Sequence, residues 1–159
     1  MRRGVACDAD VSMEVLMLNI YEYSNVLRKR NAVLDSNSDL ELYVTELLHQ
    51  LGVPARLNGY HYLREAIMML VDDMEIAHSI TKVLYYDVAK KHNSSMNRVE
   101  RAIRTAVGVS WERGNTEVFE RIFGYSILSG KKKLCNSEYM VQIADRIRLD
   151  RMYGMNSLI

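Results

Sequence analysis

A chain of 159 residues makes one domain, or one domain with an extension, and is long enough to bury a hydrophobic core without disulfide or metal staples. Apolar residues make up 48% and charged residues 26%, which excludes a disordered, collagenous or low-complexity chain. Eight Gly and one Pro are too few for the turns of a β-sandwich or barrel, or for the glycine elbows of a Rossmann sheet, so the expected class is all-α. No apolar run approaches the length of a membrane span. Met1-Arg2-Arg3-Gly4 is followed by Cys7, Asp8, Ala9 and Asp10 in place of an apolar signal-peptide core. Cys7 and Cys135 form no metal or disulfide framework, and a reducing cytoplasm is the simplest compartment.

In chain order, Met13, Leu16, Ile20, Tyr23 and Leu27 step by 3 and 4, a helical stripe with a heptad-like seam of about two heptads. Asn31–Ser38 reads as a linker. A second helix starts near Ser38 or Asp39 and runs through Leu42, Leu47, Leu48 and Leu51 to Gly52, with Pro54 blocking continuation. Asn58-Gly59 marks a turn, and Tyr62, Leu63, Ile67, Leu70 and Val71 form the next helical face. Glu75–Leu84 is a short helix, or a helix joined to the following one by a kink. Lys82–His92 is helical with Val83, Leu84, Val88 and Ala89 on its apolar side. Asn93-Ser94-Ser95 supplies N-cap oxygens for a helix from Met96 to Arg113, ended by Gly114. Asn115-Thr116 caps a short helix carrying Val118, Phe119, Ile122 and Phe123. A loop over Tyr125–Leu134 leads to a last helix, capped by Asn136-Ser137, with Tyr139, Met140, Ile143, Ala144 and Ile147 on one side. The expected organisation is a helical extension and linker over 1–36, a helical domain over 37–153 and a tail over 154–159.

The net charge of +1 conceals a division. Asp35 to Glu75 carries eight acids and two bases, whereas Lys82 to Lys133 carries eleven bases and five acids. Such a basic segment is the electrostatic footprint of a polyanion-binding face. Within it, Tyr85–Arg104 reads as a helix-turn-helix, two helices joined by a short polar turn. Val99, Ala102, Ile103, Ala106 and Val107 form the buried stripe of the second helix. Asn97, Arg98, Glu100, Arg101 and Arg104 face the other way as candidate base contacts. Arg forks onto guanine, Glu accepts from cytosine and Asn suits adenine. Lys90, Lys91, Ser94, Ser95, Arg113, Lys131, Lys132 and Lys133 are candidate phosphate contacts, which position without specifying sequence.

Several stretches in the same order give this segment a family resemblance. They are LGVPA (51–55), GYHYLREAI (59–67), SITKVLYYDVAKKHN (79–93), NRVERAIR (97–104), WERGN (111–115), FGY (123–125), NSEY (136–139) and ADRIRL (144–149). From about Leu47 to Leu149 the chain resembles the DNA-binding effector domain of the stage 0 sporulation protein A family, the master response regulators of endospore formation. The resemblance implies an all-helical bundle of about six helices around a helix-turn-helix, preceded here by an extra N-terminal helix. It implies binding to TGNCGAA-type boxes, often in tandem, with Arg98, Glu100 and Arg101 reading bases and Arg104 contacting base or phosphate. It also implies a surface for the RNA polymerase sigma subunit over Gly114–Ile127, including Val118, Glu120, Phe123 and Ile127, and contacts between neighbouring domains through the final helix. Full-length members carry a receiver domain. The expectation is a natural short homologue without one, independent of receiver phosphorylation, in which the Met13–Leu27 seam either replaces receiver dimerisation or packs on its own domain.

The expected function is therefore sequence-specific binding of double-stranded DNA in transcription regulation, activating or repressing. The alternative is an interaction module or antagonist acting through a sigma subunit or mixed dimers. No nucleophile–base pair or glycine-rich phosphate loop supports an enzyme. His49, His61, His78 and His92 lack metal-binding spacing, and no cofactor, metal, membrane or small-molecule ligand is expected. Trp111 reads as a core anchor and the ten Met as core filler.

Overall fold

The structure is a computed structural model that describes residues 37–124 and 133–153. The expected Met13–Leu27 helix and its seam, the linker up to residue 36, the loop residues 125–132 and the tail from 154 lie outside the described residues. Among the described residues the chain forms six α-helices and no strand. This is the all-α class expected.

Helix α1 (Asn37–Gln50) turns Leu40, Tyr43, Val44, Leu47 and Leu48 inward, the single stripe that a repeat of about 3.6 residues generates. Its end is a Schellman motif. Gly52 has φ 72° and donates to the His49 carbonyl, while Val53 donates to that of Leu48. Helix α2 (Asn58–Asp72) is the centre of the bundle and packs against α1, α4 and α6. Its Leu63, Ala66, Ile67 and Leu70 have no exposed surface, and each large side chain among them contributes roughly 1.5–3 kcal/mol by leaving water.

Asn58-Gly59 is the first pair of residues of α2, not a turn before it. A methyl group on Gly59 would run into the Ala102 carbonyl of α4, so glycine is needed for the close crossing of two helices.

After α2, the Asp73 carboxylate accepts from the Glu75 amide at 2.9 Å and opens a 3₁₀ stretch, Met74–Ser79. A π-helical turn, Ile80–Leu84, runs directly into α3 (Tyr85–Lys91). The kinked alternative for Glu75–Leu84 is thus the one adopted. Leu84 is buried as expected, whereas Val83 is exposed, contrary to expectation: five residues before the buried Val88, it falls about 140° from the inward side at helical spacing. Helix α4 (Met96–Arg113) begins where Ser95 Oγ accepts from the Arg98 amide, and it ends at Gly114 as the sequence indicates. Asn115 caps α5 (Thr116–Phe123) by accepting from the Glu117 amide at 2.9 Å.

Helix α6 (Asn136–Tyr153) closes the bundle. Its cap position is Cys135, one residue before the expected pair. Glu138 Oε2 accepts from the Cys135 amide at 3.1 Å, the reach-back half of a capping box. Farther along α6, Tyr43 of α1 donates to Asp150 at 3.4 Å and Arg146 pairs with the same carboxylate at 3.2 Å. Burial pushes the Asp150 carboxyl above the usual carboxylate range, and Arg146 opposes the shift.

The carboxyl end of α4 is fixed by one buried hydroxyl. Ser110 Oγ donates to the Leu51 carbonyl at 2.6 Å. Its single proton is thereby used, so the Tyr139 hydroxyl, 2.7 Å away, donates to Ser110. Burial holds the Tyr139 phenol well above its usual pKa, which keeps it a donor. Ser110→Ala removes one partner from each of two buried groups and should cost roughly 1–3 kcal/mol, read as a lower urea midpoint at unchanged slope.

Candidate nucleic-acid interface

Helices α3 and α4 are joined by His92–Ser95, and the turn is held by backbone bonds. Ser94 donates to the Ala89 carbonyl at 2.8 Å and His92 to that of Val88 at 3.1 Å. Asn93 takes φ 48°, a left-handed conformation that Asn tolerates better than most side chains. Val88 and Ala89 of α3 and Val99 and Ile103 of α4 are buried, which makes the two helices a rigid pair.

At about 100° per residue, Arg98, Arg101, Asn97, Arg104 and Glu100 follow one another around an arc of about 160° on α4. All but Glu100 are exposed, and Glu100 is half-buried. Glu100 and Arg104 form an ion pair one turn apart. Both face a hollow of about 810 Å³ between the 3₁₀ and π stretch, α4 and the start of α6. No hydrogen bond or ion pair engages the side chains of Arg98 and Arg101 among the described residues. Among the described residues nothing occupies either guanidinium group.

The phosphate candidates separate into two groups. Lys90, Lys91, Ser94 and Ser95 surround the turn beside the base candidates. Of these, Lys91 already pairs with Glu65 of α2 at 2.6 Å, while Ser95 Oγ accepts from the Arg98 amide in capping α4 and keeps its own proton for a phosphate oxygen. Arg113 lies at the far end of α4, about 22 Å along the axis from Arg98 at the usual rise per residue. Lys133 is with it there, 3.9 Å from Glu112. The structure does not bring this pair together with the turn-side group. Lys131 and Lys132 fall outside the described residues.

Of the four residues assigned to a sigma surface, Glu120 is exposed and Ile127 is outside the described residues. Val118 and Phe123 are buried, a departure from the expected surface. Phe123 stacks on Tyr139 at 5.1 Å and closes an aromatic cluster with Phe119 and the half-buried Trp111.

The sequence did not single out the function of Asn136. Its side-chain amide donates to the Tyr85 hydroxyl of α3 at 3.3 Å and to the Glu100 carbonyl of α4 at 3.2 Å. One amide, fixed at the start of α6, therefore holds both halves of the helix-turn-helix. Burial raises the Tyr85 phenol, and the Asn136 bond works against that rise. No group of three or more His, Cys, Asp or Glu placed to hold a metal ion occurs among the described residues. No helix among them is long and apolar enough to cross a membrane.

Against known families, residues 44–147 match the one described as Sporulation initiation factor Spo0A C terminal. The chain belongs to this family. It carries a DNA-binding effector domain of the sporulation-regulator type, built on a helix-turn-helix. The matched stretch takes in α2 to α5 whole, the second half of α1 and most of α6, so Arg98, Arg101 and the Asn136 clamp all lie within it.

Asn136→Ala frees α4 to tilt against α3 without removing any candidate base or phosphate contact. The expected outcome is a reduced ratio of specific to random duplex affinity with an unchanged salt slope, measured by fluorescence anisotropy. A thermal midpoint lowered by a few degrees would accompany it.

Proposed function

We propose that this protein is a sequence-specific reader of double-stranded DNA, with α4 in the major groove of TGNCGAA-type boxes, acting in transcription regulation. The observation that carries the reading is the exposed, unpaired Arg98 and Arg101 side by side on the first two turns of α4. A guanidinium without an internal partner gives up no ion pair when it forks onto guanine O6 and N7. Glu100 and Arg104 extend the same arc, and Lys90 and Lys91 border it on the turn side. The domain is proposed to bind without receiver phosphorylation, because its six helices close a continuous core of their own.

Side-by-side binding on tandem boxes belongs to the same proposal. It is supported by the apolar end of α6, where Leu149, Met152 and Tyr153 are 41%, 75% and 71% exposed. The alternative of a module acting through a sigma subunit has weaker support, since of the three described candidates Val118 and Phe123 are spent on the core and Glu120 is displayed.

Arg101→Ala should cost roughly 1–3 kcal/mol on a TGNCGAA-type duplex and relax preference at one base pair. Lys90→Ala should weaken specific and random duplexes alike and lower the salt slope by about 1. Competition binding against a set of single-base variants checks both. An Arg101→Ala protein with unchanged affinity for every duplex would remove this residue as a base reader.

A further inference from the structure

A hollow of about 430 Å³ opens between the first turn of α2 and the helix-turn-helix, lined by Asn58, Tyr62, His92, Ser94, Arg98 and Arg101. Among the described residues its lining contains no carboxylate. All six of these side chains have a proton to donate, and two are permanently cationic. The nearest acid of α2, Glu65, is turned to Lys91 and does not line the hollow. Such a surface is built for an anion with several acceptor oxygens.

We propose that this hollow seats one phosphodiester of the bound duplex, with Asn58, Tyr62 and His92 as its donors beyond the helix-turn-helix candidates. The inference rests on the DNA-reading function proposed above and names where the strand bordering the groove is gripped. The occupant is part of the DNA and not a separate metabolite, because Arg98 and Arg101 form one wall of the hollow and also face the groove. A helix in the major groove is flanked by phosphates, and the turn ahead of it lies against one strand.

The wall opposite the arginines is rigid. The Tyr62 and His92 rings meet edge to face at 5.0 Å, which orients the imidazole. The Gly59–Ala102 crossing fixes Asn58 against α4. Leu57 gives no side-chain cap to the first turn of α2, so nothing from the chain's own cap residue competes for donors on that side. A seat on α2 ties the strand to the core of the bundle, whereas Lys90 and Lys91 reach it on long flexible stems.

The test combines protein variants with duplexes in which single phosphates are replaced, one at a time, by uncharged methylphosphonate. The full chain is titrated with a TGNCGAA-type duplex and with a scrambled one. Tyr62→Phe removes only the hydroxyl and keeps the ring against His92, and Asn58→Ala and His92→Gln probe the other donors. Each should lower affinity roughly 3- to 10-fold for both duplexes. One methylphosphonate position beside the box should weaken the parent chain and cost the Tyr62→Phe protein little more. Tyr62→Phe and Asn58→Ala proteins that bind as the parent does would overturn the seat. So would losses that add independently at every phosphate position. Failure of the DNA-reading function would look different: the parent chain itself would show no preference for the box.

Discussion

Helix α4 must be dry along one side and bare along the other, and its crossing with α2 meets both demands. At Gly59 the two backbones approach as closely as they do because no side chain intervenes. Val99, Ile103, Ala106 and Val107 then fill the space beneath α4, which leaves Arg98 and Arg101 on the far side with no side-chain partner among the described residues. The two ends are fixed by different chemistry. The Ser95 hydroxyl caps the amino end, and the Leu51–Ser110–Tyr139 chain of hydrogen bonds locks the carboxyl end. The Asn136 amide sets the angle to α3 between them. A helix held at these points presents its exposed side chains in one orientation, so less ordering entropy is lost when DNA arrives.

Charge follows the same division. The acidic stretch of the sequence folds into α1, α2 and the turn after them, where Glu41 pairs with Arg64 and Glu65 with Lys91. Exposed pairs of this kind contribute little to stability, and their effect is positional. They absorb acidic groups at the edge of the basic face, so the α2 wall beside Arg98 and Arg101 carries no negative charge. The formal charge of +1 thus coexists with a surface suited to a polyanion.

Much of this was legible in the sequence where the signal is local. Ser95, Gly114 and Asn115 punctuate both ends of α4 and the start of α5 with cap chemistry, and the structure places those ends where the residues indicate. The arc of Asn97, Arg98, Glu100, Arg101 and Arg104 followed from helical spacing alone. What was not legible depends on partners distant in the chain. Asn58-Gly59 has the same composition whether it makes a turn or opens a helix, and the Ala102 contact decides. Asn136 reads as a cap from its neighbours, yet its amide is spent on Tyr85 and Glu100. Val83 was assigned inward on residue type, yet helical spacing sets it about 140° from the buried Val88, and it is exposed. Val118 and Phe123 are instructive in the other direction. Their spacing with Phe119 and Ile122 already marked an apolar face, and the aromatic cluster with Trp111 follows that spacing and not the family's sigma surface.

The most direct measurement is titration of the purified chain with a TGNCGAA-type duplex and a scrambled duplex of equal length across a range of salt. Both affinities should fall steeply and with similar slopes as phosphate counterions cease to drive binding. The box should stay ahead by roughly a thousandfold or more throughout. Equal, weak binding to both duplexes that disappears with salt would contradict base reading by α4.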